Sequence, residues 1–153
     1  MSNYSEDYKI IPLSNETLNN AISLIKSVFP YKPDQKNAKW NFADSLSKPN
    51  SGENYWVAVT KNRELVGITG LYHDTYDKNI VWLGWFGVHP QHRRHGIGSK
   101  LLDFAISKSL KKGHMTKGTL VLKQLDKRRG KDLIFWICRD SRDWTLPGLC
   151  ITS

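Results

Sequence analysis

At 153 residues the chain has room for one domain with a substantial core, and we treat residues 1–153 as a single domain. Hydrophobic residues make up 39% of it and charged residues 24%, and its aromatic content of 11% excludes an intrinsically disordered protein. The formal net charge is +9, and the whole excess lies beyond residue 90, because residues 1–90 hold nine basic and nine acidic side chains while residues 91–153 hold fourteen and five. A basic C-terminal part suits a nucleic acid, a membrane surface or an anionic cofactor.

Cysteine content and hydropathy indicate the cellular compartment in which the protein works. Cys138 and Cys150 are too few and too late in the chain for a disulfide framework, so we expect free thiols. No stretch of about 18 apolar residues is present, and the N-terminus is polar, so we expect a soluble, cytoplasmic protein without a membrane partner. The five histidines and two cysteines show no metal-ligand spacing, and we predict no metal site.

The chain opens with a strand and a helix. Residues 8–13 have the composition of a short strand, which Pro12 ends. A helix follows, with Ser14 as the expected N-cap and apolar residues at three- and four-residue spacing from position 18 to position 29.

A second helix and a hairpin come next. The segment PYKPDQ holds two prolines and cannot continue the first helix. We predict a shorter helix over residues 37–46, with Trp40 facing inward. Two strands over residues 55–60 and 64–74, joined by the turn KNR, then predict an antiparallel hairpin.

The most informative segment is a strand, a loop and a helix between residues 80 and 110. Residues 80–88 are all apolar, aromatic or glycine, which is typical of a strand buried on both faces. Pro90 ends that strand, and an amphipathic helix follows Gly98. We expect the apolar stripe of this helix to pack on the strand at Val81, Leu83 and Trp85. The stripe consists of Leu101, Leu102, Ala105, Ile106 and Leu110.

The basic loop between this strand and helix predicts a phosphate site, because a helix start presents free N–H groups and a positive dipole end. A P-loop requires GxxxxGK[ST], but Arg93 stands in place of its first glycine and Ser99 in place of its lysine. The dinucleotide fingerprint GxGxxG fits Gly96 and Gly98 but fails at Leu101. Both nucleotide-binding folds are therefore disfavoured.

What remains is the pattern Arg93-x-x-Gly96-x-Gly98 directly after a buried strand. It resembles the coenzyme A loop of the GCN5-related N-acetyltransferase (GNAT) family, whose signature is [QR]-x-x-G-x-[GA] between the fourth strand and the third helix. The order of elements from residue 8 onward also agrees with that family. The resemblance implies an α/β (α+β) fold, with a mixed, mainly antiparallel sheet flanked by helices and an atypical C-terminal third, and acetyl-CoA as cosubstrate.

The resemblance also implies a cofactor site. Backbone N–H groups of residues 94–99 would hold the pyrophosphate of acetyl-CoA, and Phe86 and Val88 would offer strand-edge hydrogen bonds to its pantetheine arm. Gly96 and Gly98 let the backbone approach the diphosphate and tolerate positive φ. The two arginines supply charge, and the histidine side chain after them is expected in solvent. The predicted cofactor-binding residues are Phe86, Val88, Arg93, Arg94, His95, Gly96, Ile97, Gly98 and Ser99.

The resemblance does not identify the catalytic residues. Family members commonly use a tyrosine of a late helix as the acid, but the last tyrosine here is Tyr76. Members often place a glutamate on the fourth strand as the base, and residues 80–88 contain no carboxylate. His73 and Asp74 are the nearest ionisable candidates for that base. The missing acid predicts slow turnover.

The acceptor site is predicted only in outline. The segment PYKPDQ falls where the family has its acceptor-side loop. Aromatic residues beside strands are more often core residues than pocket residues. The aromatic candidates for the acceptor pocket are Trp40, Tyr55, Trp56, Trp82 and Trp85.

The C-terminal third departs from the family. We predict one strand over residues 119–123, while residues 133–138 fit either a strand or a buried turn of helix. The family pattern A-x-x-x-Y-x-x-x-G-F is missing, which suggests the hypothesis of a shifted reading frame or a replaced terminus, testable on the gene's DNA.

We therefore predict an acetyl-CoA-dependent N-acetyltransferase that acts on a small-molecule or peptide amine. One alternative is a catalytically impaired acyl-CoA-binding protein of the same fold. Another is a basic nucleic-acid-binding module, although its usual strand face of interleaved aromatic and basic residues is missing here.

Overall fold

The computed structural model describes residues 7–73, 75–76, 81–111, 119–126 and 131–138, with side chains up to residue 109. A 3-10 helix spans Pro90–His92. The helices and strands are β1 (Tyr8–Pro12), α1 (Leu18–Val28), α2 (Lys32–Ser47), β2 (Asn54–Thr60), β3 (Leu65–His73), β4 (Val81–Val88), α3 (Ile97–Lys111), β5 (Thr119–Asp126) and β6 (Lys131–Cys138).

The strands form one six-stranded sheet in the order β1-β2-β3-β4-β5-β6. Neighbouring strands pair antiparallel except β4 and β5, which run parallel. A parallel pair needs a long crossover connection, and α3 lies in it. The predicted mixed, mainly antiparallel sheet with flanking helices is confirmed, and residues 133–138 belong to a strand rather than to a helix.

Helices cover both faces of the sheet. On the face covered by α1 and α2, here called the α1/α2 face, Phe42 is fully buried in a cluster with Val57 and Ile68. On the opposite face, here called the α3 face, Leu101 is fully buried in a cluster with Val66. The sheet therefore separates two apolar cores.

The apolar stripe of α3 packs largely as predicted. Leu101 and Ala105 are fully buried and Ile106 nearly so, while Leu102 is only partly buried. The side chain of Leu110 lies outside the described part of the structure. The strand residues that share a cluster with Ala105 and Ile106 include Val81 and Leu83.

Trp85 lies on the other face of the sheet because β4 contains a β-bulge. Trp85 and Phe86 together face the single residue Thr69 of β3, and Trp85 has a φ of 44°. The Trp85 ring therefore reaches the α1/α2 face, where it meets the ring of Phe29 edge to face at 5.5 Å between centroids. The prediction that Trp85 supports α3 is wrong.

The first helix starts later than predicted. Thr17, rather than Ser14, occupies the N-cap position of α1. Ser14 instead closes a turn ahead of the helix, because its carbonyl accepts from the Thr17 N–H at 3.1 Å and its own N–H donates to Thr17 Oγ1 at 3.0 Å.

The second helix starts earlier than predicted. It begins at the third residue of the segment PYKPDQ, with a proline in its first turn, where the missing N–H does no harm. Trp40 is 65% exposed, so the prediction that it faces inward is wrong. The residues of α2 that face the core are Ala38, Phe42 and Ser45.

Leu101→Ala is expected to lower the free energy of unfolding by about 2 to 5 kcal/mol, because it leaves a cavity in the core. A Leu101 methyl group fills the space beside Gly67, where an added Cβ would lie 2.6 Å from it. Urea unfolding measures the loss, with partly exposed Leu102→Ala as the control. An equal or larger loss at Leu102 would contradict this packing.

Candidate functional site

The loop between β4 and α3 presents both peptide groups and basic side chains to solvent. His89 caps the start of the 3-10 helix, because its Nδ1 accepts from the Gln91 N–H at 3.2 Å. Arg94 and Gly96 then adopt left-handed backbone angles, with φ of 65° and 78°. The exposed residues that follow the 3-10 helix are Arg93, Arg94, His95, Gly96 and Ser99. An anion can therefore reach the backbone and the arginines together.

The start of α3 is anchored to the sheet. Ile97 is 2% exposed and packs with Ala58, Val66 and Leu101 on the α3 face. The first N–H groups of a helix have no partner within it and carry the positive end of its dipole. Ile97 thus contributes packing with its side chain, and it offers a ligand only its backbone.

The two glycines of the loop have different roles. Gly96 has positive φ, as predicted, and an added Cβ there would meet nothing within 4 Å. Gly98 is not among the residues with positive φ, so that part of the expectation fails at this position. A Cβ on Gly98 would contact Val88 at 3.6 Å and Phe86 at 3.8 Å. These are ordinary contact distances, so Gly98 faces the end of β4 with room for one methyl group.

The outer edge of β4 separates from β5 partway along the strand. The described pairing of the two strands ends at Leu83, although β4 continues to Val88. On the inner side, the His89 N–H donates to the Val66 carbonyl at 2.8 Å. Hydrogen bonds alternate in an antiparallel ladder, so the N–H and C=O of Val88 point away from β3, toward the open edge.

The side chain of Arg93 connects the loop to the open edge of β4. Its Nε donates to the Val88 carbonyl at 3.0 Å. The carbonyl keeps a second lone pair, and the exposed guanidinium is tied to the strand end. The structure thus brings the predicted residues Phe86 and Val88 into line with the basic loop and the start of α3.

Tyr55, a predicted pocket residue, meets on the α1/α2 face a carboxylate that the sequence analysis did not name, that of Glu53. The Tyr55 hydroxyl donates to the Glu53 carboxylate, and Tyr55 is only 4% exposed. Burial, and then the Glu53 carboxylate, raise the pKa of Tyr55 well above its ordinary value. The phenol therefore stays protonated and keeps donating at physiological pH. Glu53 immediately precedes β2 and lies two positions before Tyr55, so the spacing Glu-x-Tyr was an available signal.

The Glu53–Tyr55 pair lies beside the point where β4 and β5 separate. The Tyr55 ring rests on Gly70, where an added Cβ would be 2.3 Å from it. A Cβ on Gly84 would be 3.1 Å from the Tyr72 ring and 4.0 Å from the Tyr55 ring. Gly84 is the first residue of β4 beyond the pairing with β5.

Helix α2 holds this region in place. With the Asn41 amide assigned so that its oxygen faces Trp85, that oxygen accepts from the indole N–H at 2.9 Å and the amide nitrogen donates to the Asn37 carbonyl at 3.3 Å. Phe42 meets the Tyr55 ring edge to face at 4.9 Å between centroids. Both aromatic rings are therefore positioned by the same helix.

Comparison with known proteins identifies the family. The Acetyltransferase (GNAT) family profile matches residues 19–130, well over half of the chain. This chain belongs to the GNAT family of acetyltransferases. Mycothiol acetyltransferase of Corynebacterium glutamicum (strain R) is 35% identical to it over 69 residues, which are 45% of this chain. Those residues are 20% of that protein, so the chain spans only a small part of that curated relative.

Solved structures support the same fold. A GNAT-family acetyltransferase of Staphylococcus aureus Mu50 is 27% identical, with a TM-score of 0.62, and the match covers 78% of this chain and 75% of that one. A GNAT-family protein of Desulfovibrio desulfuricans is 15% identical, with a TM-score of 0.69, and covers 80% and 76%. The second likeness shows the fold alone.

Of the two candidates for the base in this GNAT chain, the structure describes His73. His73 ends β3, and its ring lies over Gly52, where an added Cβ would be 2.6 Å from it. Gly52 has a φ of 83°, so this turn needs glycine both for its angle and for the contact. His73 thus lies beside the turn that leads to Glu53. Asp74 lies outside the described residues.

The aromatic candidates for the acceptor pocket divide between the faces of the GNAT sheet. Tyr55 and Trp85 lie on the α1/α2 face, and Trp82 stacks on Tyr72 at 6.5 Å between centroids. Trp56 packs on the α3 face with Phe104. Trp40 is exposed on α2. Of these candidates, Tyr55 and Trp85 therefore lie on the α1/α2 face beside the point where β4 separates from β5.

The described parts of the GNAT chain contain neither a candidate metal site nor a membrane-spanning helix. Within them, three or more His, Cys, Asp or Glu side chains do not come together in a way that could hold a metal ion. The helices that are described are too short or too polar to cross a membrane. The side chains of Cys138 and Cys150 lie outside the described part of the structure, so the prediction of free thiols stays a prediction.

Proposed function

We propose that this chain transfers an acetyl group from acetyl-CoA to the amine of a small molecule or a peptide. The observation that carries the proposal is the open edge of β4, which runs without interruption into an exposed basic loop and a helix start. An extended arm fits a strand edge, and a diphosphate fits peptide N–H groups at a helix start.

The residues present suit acetyl-CoA. Val88 offers outward-facing backbone groups to the pantetheine arm, and Phe86 lies on the same strand. The backbone of residues 94–99 would hold the pyrophosphate, with the two loop arginines alongside. The open space around Gly96 leaves room for the diphosphate. Bound there, acetyl-CoA supplies a thioester carbonyl that an amine can attack.

An assay with an amine panel tests transfer. The protein is incubated with acetyl-CoA and, in turn, a polyamine, an aminosugar and a short peptide with a free N-terminus, and released thiol is followed. We expect thiol release that depends on the amine for at least one class. Tight acetyl-CoA binding without release on any amine would instead support the acyl-CoA-binding alternative, which is favoured by the missing family tyrosine beyond Tyr76.

Arg94→Ala is expected to weaken acetyl-CoA binding by about 1 to 3 kcal/mol at low salt, because it removes a charged donor from the phosphate site. The deficit should shrink as added salt screens the charge that was lost. Calorimetry at several salt concentrations measures both effects.

Arg63→Ala is the matched control for this arginine. Arg63 is also exposed and also has positive φ, 63°, but it lies in the turn between β2 and β3. Its replacement should leave acetyl-CoA affinity unchanged. If the two variants lost affinity equally, the effect would be one of overall charge and not of the loop.

A further inference from the structure

The strongest unassigned feature is the Glu53–Tyr55 pair on the α1/α2 face. We propose that Glu53, positioned by Tyr55, binds the positively charged amine of the acceptor, so that the chain selects alkylammonium substrates. The proposal rests on the proposed acetyl transfer and adds the acceptor class and the group that recognises it.

The first argument is that the carboxylate is held in place. Tyr55 is buried, its ring lies against Gly70 and Phe42, and its hydroxyl donates to Glu53. The Glu53 N–H also donates to Ser51 Oγ at 3.4 Å. A carboxylate whose direction is fixed before binding loses little conformational freedom when it accepts a ligand.

The second argument is position. The Tyr72 ring lies over Gly84, where β4 leaves β5, and the Tyr55 ring lies over Gly70, the residue of β3 that pairs with Gly84. The same strand carries the open edge at Phe86 and Val88 a few residues later. An amine at Glu53 would therefore lie on the α1/α2 face of the strand that offers the cofactor edge.

The third argument is charge. Glu53 is partly buried, and among the residues that the structure describes no basic side chain lies within ion-pair distance of it. Its carboxylate has room for about four hydrogen bonds, of which the Tyr55 phenol takes one. A partly buried carboxylate favours a cationic partner. The ring of Tyr55 lies beside Glu53, and such electron-rich aromatic faces also attract an ammonium group.

The test compares a cationic probe with a neutral one. Phenethylammonium and 2-phenylethanol have nearly the same shape, and only the first is charged at neutral pH. Each is titrated into the full chain, with and without saturating coenzyme A, and binding is followed by NMR. The variants are Glu53→Gln and Tyr55→Phe, and Glu16→Gln, exposed just ahead of α1, is the control for loss of one negative charge.

We expect phenethylammonium to bind wild type and Glu16→Gln alike and about tenfold or more weakly to Glu53→Gln, as for a lost hydrogen bond to a charged group. Tyr55→Phe keeps the ring but releases the carboxylate, so it should lose about twofold to fivefold for the cation. Binding of 2-phenylethanol should not change in any variant. A purely structural role of Tyr55 would weaken both probes together.

Two outcomes would overturn the proposal: equal binding of phenethylammonium to wild type and Glu53→Gln, or no preference of wild type for the cation over the alcohol. Acetyl-CoA calorimetry on the same proteins separates this result from the proposed function. Normal acetyl-CoA binding with either outcome removes only the role of Glu53. Loss of acetyl-CoA binding in wild type would count against the cofactor site itself.

Discussion

Gly98→Val is expected to nearly abolish acetyl-CoA binding while the protein still folds. The glycine lies in the first turn of α3, and its missing side chain faces Val88 and Phe86 at the end of β4. A branched side chain there would fill the space between the helix start and the strand edge. Losing two hydrogen bonds to a charged phosphate would weaken binding by about 100-fold or more, at any salt concentration.

Gly98→Ala is the control for this substitution. An added Cβ would make ordinary contacts at 3.6 and 3.8 Å, so alanine fits the protein, and its acetyl-CoA affinity should stay close to that of wild type. Both residues have a higher helix propensity than glycine, so thermal melting should show no large loss of stability in either variant. Wild-type affinity in a folded Gly98→Val protein would remove the main support for the cofactor site.

Phe42→Ala is expected to lower the free energy of unfolding by about 3 to 5 kcal/mol, because it empties the centre of the α1/α2 core. Phe42 is fully buried in the cluster that includes Ile25, Val57 and Ile68, and its ring supports that of Tyr55. Urea unfolding gives the change directly.

Trp40→Ala, two residues earlier on the same helix, is the matched control. Trp40 is 65% exposed, so its removal should change stability by no more than about 0.5 kcal/mol. A larger loss at Trp40 than at Phe42 would mean that α2 is rotated from the orientation described.

The strand, loop and helix around the proposed cofactor site were predictable because their signals are local. Residues 80–88 are continuously apolar, a proline follows, and the loop glycines precede a helix with a clear apolar stripe. The face of Trp85 was not predictable, since a one-residue bulge reverses it and depends on the pairing with β3. The face of helix α2 was hard to predict for another reason. Two of its three inward residues, Ala38 and Ser45, are small, so the exposed Trp40 gave a misleading apolar signal beside Phe42.

Tyr55 was a predicted pocket residue, but its partnership with Glu53 was not predictable from the family pattern. The family pattern places its tyrosine in a late helix, and this chain has none beyond Tyr76. The fold brings Tyr55 and Tyr72 to the opening of β4 from two earlier strands, through pairings that span ten or more residues. Long-range strand pairing of this kind leaves only a weak local signal, here the two-residue spacing between Glu53, just before β2, and Tyr55.

The most direct test of the cofactor site is an NMR titration that follows the backbone amides of residues 94–99 as acetyl-CoA is added. The proposed site predicts that these amides shift more than those elsewhere in the chain. Dephospho-CoA, which keeps the pyrophosphate and lacks the ribose phosphate, should shift them in the same way. Saturable binding of acetyl-CoA that leaves these amides unmoved would contradict the assignment of the loop to the pyrophosphate.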